Sequence, residues 1–160
     1  CSSDLEPSIV RGLGSRYYDG DGLAAKSMPI FKNGVLSNYY TDVYYGNKLG
    51  WTPNSGGSSN LIVKPGMRSG AEIEASLDRA ILVTNWLGGN ANSTTGDFSL
   101  GVAGWLIENG KRVKSITEMN ISGNYNDLLM NLIEVGNDPW IHSSFRTPTM
   151  VFDKVSFSGS

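Results

Sequence analysis

An Asn-Gly dipeptide between two apolar or aromatic runs leaves a chain few options. Both central residues of a type I′ turn need positive φ, and Asn followed by Gly adopts that geometry at least cost. This sequence uses the device twice: Asn33-Gly34 interrupts "SMPIFKNGVLSNYYTD", and Asn109-Gly110 interrupts "WLIENGKRV". Each predicts a tight antiparallel hairpin. The composition agrees, since 20 glycines, four tryptophans and seven tyrosines describe a chain rich in turns and strands, not a disordered one.

The remaining elements follow from local signals. A short helix is expected between Asp42 and Leu49, with Gly50 as its left-handed cap. "TPNSGGSSN", residues 52–60, reads as an exposed loop, and "LIVKPG" as a short strand ending in a turn. "SGAE" is a capping box, with Ser69 at the N-cap and Glu72 three residues on. Ile73, Leu77, Ala80 and Ile81 continue it at helical spacing. "ILVTNW", short and β-branched, reads as a buried strand. A second helix is expected from Asn124 to just before Gly136, with Tyr125, Leu128, Leu129, Leu132 and Ile133 as its core-facing stripe. "TPTMVFDKVSFSG" alternates as a terminal strand or strand pair. Lacking regular βαβ alternation, the chain is expected to be a β-rich α+β fold: a mixed or antiparallel sheet with hairpins and two packing helices, in one domain over residues 1–160.

Charge and special residues narrow the function. Thirteen basic and 15 acidic side chains leave no basic stripe, so direct nucleic-acid binding is not expected. No apolar run reaches the length of a membrane span, and the N-terminus lacks a signal-peptide pattern. Cys1, followed by Ser-Ser-Asp, has two readings. It is either the lipid-bearing first residue of a mature bacterial lipoprotein or an arbitrary point within a longer chain. One cysteine and one histidine cannot form an internal disulfide or an ordinary structural zinc site.

Catalytic signals are sparse. His142 lies in "GNDPWIHSSFRTP" beside Ser143 and Ser144, but sequence neighbours do not make a triad, and no G-x-S-x-G elbow is present. Asp19 and Asp21 in "GLGSRYYDGDG" lack the later oxygen ligands of a calcium loop, which favours turn chemistry. "NST" at 92–94 matches a glycosylation acceptor only in a secretory context. The segment "NSTTGDFSLGVAGWLIENGKRV" carries more. Asp97 stands between Gly96 and Phe98 at the start of a strand where Gly101, Ala103 and Gly104 leave little side-chain cover. Either another element packs tightly over these small residues, or an extended peptide pairs along them by main-chain hydrogen bonds.

Five segments, in this order and spacing, resemble the C-terminal domain of the TldD/PmbA family of metallopeptidases, also labelled modulators of DNA gyrase, and more closely its PmbA-like branch. They are "GLGSRYYDGDG" (12–22), "NGVLSNYYTDVYYGNKLG" (33–50), "SNLIVKPG" (59–66), "LVTNWLGGNANSTTGDFSLGVAGWLIENGK" (82–111) and "ITEMNISGNYNDLLMNLIEVGND" (116–138). The resemblance implies a longer cytoplasmic protein that assembles as a two-fold dimer around a cavity and works in proteolysis or peptide maturation. In the metal-binding branch an upstream His-Glu-x-x-x-His helix supplies two zinc ligands and the general base, and a cysteine after Gly-Asn-Asp supplies the third ligand. Here residues 139–149 contain His142 and no cysteine. The expectation is no catalytic or metal-binding residue within this segment, with zinc held elsewhere in the full protein or by its partner. A peptide or unfolded-protein substrate would meet Gly96, Asp97, Ser99, Asn137, Asp138 and His142. The resemblance also implies a protein partner, either a second copy or a TldD-like subunit. Two other readings remain open. One is a non-catalytic peptide-binding scaffold that completes a dimeric chamber. The other is a surface lipoprotein β-domain, membrane-bound only through a lipid on Cys1, that stacks exposed Trp and Tyr rings on sugars. Burial of Trp51, Trp86 and Trp105 would count against the last.

Overall fold

In the computed structural model, residues 3–159 are described. The lipoprotein reading of Cys1 therefore falls outside the described residues. In chain order the elements are β1 (Ser3–Leu5), β2 (Met28–Lys32), β3 (Val35–Leu36), α1 (Val43–Leu49), β4 (Leu61–Val63), α2 (Gly70–Ala75) and β5 (Arg79–Ala91). They continue as β6 (Asp97–Glu108), β7 (Lys111–Asn124), α3 (Tyr125–Met130), β8 (Leu132–Val135), β9 (Phe145–Arg146), β10 (Met150–Phe152) and β11 (Ser156–Ser158). This is an α+β fold. The chain divides into two compact units, Cys1–Gly66 with Asp138–Pro148, and Met67–Asn137 with Thr149–Ser160.

The first unit is built on a sheet of order β3-β2-β1-β4-β9. β1 runs antiparallel to β2 and β4, and β9 joins β4 in parallel, Leu61 opposite Phe145. Leu5, Ile30 and Val63 form its buried apolar positions. Asn33 and Gly34 adopt φ of 53° and 81°, the predicted type I′ combination, between β2 and β3. α1 begins as expected, with the Asp42 carboxylate accepting from the Tyr45 amide at 2.6 Å, and ends at Gly50 with φ 69°. Fully buried Asn60 ties the loops together. Its Nδ2 donates to the Glu6 carbonyl and Ser15 Oγ, and its Oδ1 accepts from the Gly14 amide. A buried amide group with such a set of partners avoids the cost of an unpaired polar atom.

The second unit carries a four-stranded sheet of order β11-β7-β6-β5 and a two-stranded pair of β8 with β10. Asn109 and Gly110 close the β6–β7 hairpin with φ of 49° and 71°. Phe98, Val102 and Ile121 form the core cluster, flanked by Leu100, Leu128, Val155 and Phe157 among others. The register shifts at several points along β5–β6 and β6–β7, including between Val102 and Gly104. These bulges bend the strands and sharpen their twist.

Three expectations are corrected here. The helix opened by Ser69, whose capping box is present, stops at Ala75 and does not continue through Leu77, Ala80 and Ile81. The Leu77 and Asp78 carbonyls instead accept from the Gly110 and Asn109 amides, which draws the chain into β5. β5 is longer than "ILVTNW" and is an edge strand, half-buried at its start and exposed from Thr84 onward. The helix starting at Asn124 ends at Met130, and Leu132–Val135 form β8. β8 pairs with β10, so Ile133 lies exposed on a strand and is not part of a helical stripe.

Candidate functional site

Asp97 opens β6 and sits in a polar cluster built by two turns. The loop before it closes on itself, because the Asn92 amide donates to the Asp97 carbonyl and Asn92 Oδ1 accepts from the Thr94 amide. Gly96, at φ 84°, makes the bend, and its carbonyl accepts from the Tyr125 amide at 2.9 Å. The Asp97 carboxylate accepts from Thr95 Oγ1 at 2.7 Å and from Asn124 Nδ2 at 2.9 Å. Asn124 also donates to the Thr95 carbonyl and, through Oδ1, caps α3 at the Asn126 amide. One side chain thus joins the loop, the acid and the helix start. The Asn124 and Thr95 hydrogen bonds hold the Asp97 carboxyl below the usual carboxylate range. It is an exposed, ionised acceptor.

Strand alternation places Asp97, Ser99 and Gly101 on one face of β6, opposite Asn124, Ser122 and Asn120 of β7. Asn120 Nδ2 donates to Ser99 Oγ at 3.0 Å. The reverse face carries Phe98, Leu100 and Val102 into the core. β6 and β7 therefore offer one face of short polar side chains and glycine, with main chain close beneath. Gly104 belongs to the other reading of the small residues: a Cβ there would lie 1.8 Å from the Leu82 carbonyl oxygen. It admits the neighbouring strand of its own sheet, not a foreign backbone.

The other expected site residues have local partners of their own. Asn137 latches the second unit, its Nδ2 donating to the Met67 carbonyl and its amide to the Arg68 carbonyl. Asp138 and His142 belong to the first unit, where Asp138 also has an interaction partner. The His142 ring packs edge-on to Trp140 at 4.9 Å between centroids. Ser143 Oγ accepts from the Phe145 amide, and the Ser144 carbonyl accepts from the Leu61 amide. Both serines shape the loop, and no hydrogen bond pairs either with His142. These residues do not fit a zinc ion: among the described residues no three His, Cys, Asp or Glu side chains converge. The Asp19-Asp21 stretch is turn chemistry, as expected. Asp19 accepts from the Asp21, Leu23 and Gly56 amides, and Asp21 accepts from the Val43 amide.

Thr95, Asn120 and Asn124 were not among the expected site residues. Asn124 carried only a helix-start signal, and nothing in the sequence ties it to an acid 27 positions earlier. Trp51, Trp86 and Trp105 are exposed, so the burial that would have counted against a sugar-stacking surface is not found. Among the described residues no helix is long and apolar enough to cross a membrane.

A family model described as the PmbA/TldA metallopeptidase C-terminal domain matches residues 5–159. A protein named metalloprotease PmbA homolog from Haemophilus influenzae is 33% identical over 157 residues, covering 96% of this chain and 35% of that protein. The crystal structure of a proposed modulator of DNA gyrase from Bacteroides thetaiotaomicron superposes with a TM-score of 0.95 at 43% identity, covering 99% of this chain and 36% of the other. The structure of TldE from Thermococcus kodakarensis shares the fold, with a TM-score of 0.88 at 22% identity over 99% of this chain and 39% of that one. The chain thus spans about a third of the length of the relatives it matches.

Proposed function

Because the chain belongs to the PmbA/TldD family through its metallopeptidase C-terminal domain, we propose that it serves proteolysis or peptide maturation as the substrate-facing part of a longer protein. The observation that carries this reading is the polar face shared by β6 and β7. Asp97, Ser99 and Gly101 lie there in alternation, opposite Asn124, Ser122 and Asn120. Short side chains leave main-chain groups reachable, and fixed Asn and Asp groups can pair with the amides and carbonyls of an extended peptide. Zinc, where the working assembly uses it, is held by residues outside 3–159. Chemistry at the metal is then no task of this segment.

The test takes the protein as isolated from its source cells, with any partner it retains. Its zinc content is measured together with hydrolysis of unfolded peptides. Asp97→Asn should weaken peptide binding and raise KM while leaving zinc content unchanged. Unchanged peptide affinity combined with a looser 92–97 loop would show that Asp97 serves only its own turn.

A second reading, a non-catalytic subunit that binds peptide and completes a chamber with a second copy or a TldD-like subunit, is supported by the poor fit of His142 to zinc. Protein free of zinc that still binds peptide, and gains hydrolysis only on adding a zinc-bearing partner, would select it.

A further inference from the structure

The two Asn-Gly turns are the same dipeptide in the same backbone geometry, with φ of 53° and 81° in one and 49° and 71° in the other. Their surroundings differ. An asparagine followed by glycine carries a latent reaction. The glycine amide nitrogen attacks the asparagine Cγ, the new N–Cγ bond closes a five-membered imide, and the side-chain nitrogen leaves as ammonia. Water then opens the ring at either carbonyl, giving aspartate or isoaspartate. No oxidant or cofactor is consumed. The step needs a glycine nitrogen that can lose its proton, and a turn that can open so that the nitrogen reaches Cγ.

We propose that Asn33 is a site of this spontaneous modification in the folded protein, and that Asn109 is protected from it. At the second turn the Gly110 amide donates to the Leu77 carbonyl at 2.9 Å and the Asn109 amide to the Asp78 carbonyl at 2.7 Å. The ideal Cβ position of Gly110 lies 2.3 Å from the Ala75 carbonyl oxygen, so the end of α2 is packed directly on the turn. The flanking strands, β6 and β7, are 12 and 14 residues long and bury Ile107 to 1% exposure. The nucleophile is hydrogen-bonded, and opening the turn would break a long ladder.

At the first turn nothing lies within 4 Å of the Gly34 Cβ position. β3 is two residues long, its pairing with β2 is confined to Phe31–Leu36 and Lys32–Val35, and Val35 and Leu36 are both exposed. Opening there disturbs little buried surface, so it belongs to the low-cost end of local unfolding. Asn33 also borders a groove of about 420 Å³ lined by Asp4, Glu6, Lys32 and Lys64, among others. Conversion adds a carboxylate at that rim, and the isoaspartate form adds a methylene to the turn's backbone.

The protein as isolated from its source cells, incubated at mildly alkaline pH, provides the test, with peptide mapping by mass spectrometry and isoaspartyl methyltransferase labelling. Replacement of the side-chain NH2 by OH should accumulate in the Asn33 peptide about ten-fold or more faster than in the Asn109 peptide, reflecting the difference in opening equilibria. In strong denaturant the two rates should converge, because the protection belongs to the fold. Equal rates in the folded protein, a faster Asn109, or no conversion at Asn33 would each overturn the proposal.

Discussion

Gly104 shows how little room one position can have. Its missing Cβ would fall 1.8 Å from the Leu82 carbonyl oxygen on the adjacent strand, and backbone cannot retreat as a side chain can. Gly104→Ala should cost about 3 kcal/mol or more, as overpacking against fixed atoms does, read as a fall in the urea midpoint. At Gly101, on the polar face, a Cβ would meet the Leu87 Cβ at 3.3 Å and the Gly88 carbonyl oxygen at an ordinary 3.6 Å, and Leu87 is exposed. Gly101→Ala should change stability by about 0.5 kcal/mol or less while obstructing peptide approach, so binding and stability would separate. Asp19 and Asp97 add a pH dependence. Asp19 is opposed by its burial but held below the usual carboxylate range by the Gly56, Leu23 and Asp21 amides and by nearby Arg16. Asp97 is lowered by Asn124 and Thr95. A carboxyl lowered in the folded state binds protons more readily when unfolded. Its contribution is therefore complete above the ordinary carboxylate pKa and is lost as pH falls through the lower, folded value. Acid titration followed by amide NMR should loosen residues 19–24 and 92–97, and Asp19→Asn should remove the first of these transitions.

At the scale of the element, the locally encoded features were legible. The Asn-Gly turns, the Asp42–Gly50 helix and the Ser69–Glu72 capping box each depend on φ preferences and side-chain caps within a few residues, and all are present. The ends of the two later helices were not legible, because their causes are remote. α2 stops where the Leu77 and Asp78 carbonyls meet amides of the β6–β7 turn. α3 yields to β8 because β10 supplies a strand partner. The candidate site divides likewise: Asp97 announced itself between Gly96 and Phe98, while Asn124, which holds it, is brought near only by strand register. For α2, a helix of six residues has little propensity of its own and leans on its cap. Ser69→Ala should cost about 1 kcal/mol, measurable by chemical denaturation.

For the molecule as a whole, the chain passes from one unit to the other at Gly66, returns at Asp138 and leaves again at Thr149. Neither unit is a continuous stretch. Residues 67–137 contain β5–β8 but lack β10, the partner of β8, and β11, the edge partner of β7. They also lack Val155 and Phe157, which pack on the Phe98–Val102–Ile121 cluster. A fragment 67–137 should therefore unfold at lower denaturant than a fragment 67–160, by circular dichroism. Equal midpoints would show that the late strands add nothing to that core.

The parallel pairing of β4 with β9 has a consequence for the order of events during synthesis. β4 is made before β5–β8, yet one of its neighbours lies beyond the whole of them in the chain. On the ribosome β4 must wait with one flank unsatisfied while all of β5–β8 is made. A pairing this distant in sequence closes slowly, and an open strand edge invites partners from other chains meanwhile. The newborn chain should therefore depend on chaperones that shield strand edges until residue 146 has left the exit tunnel, a need the finished protein no longer has.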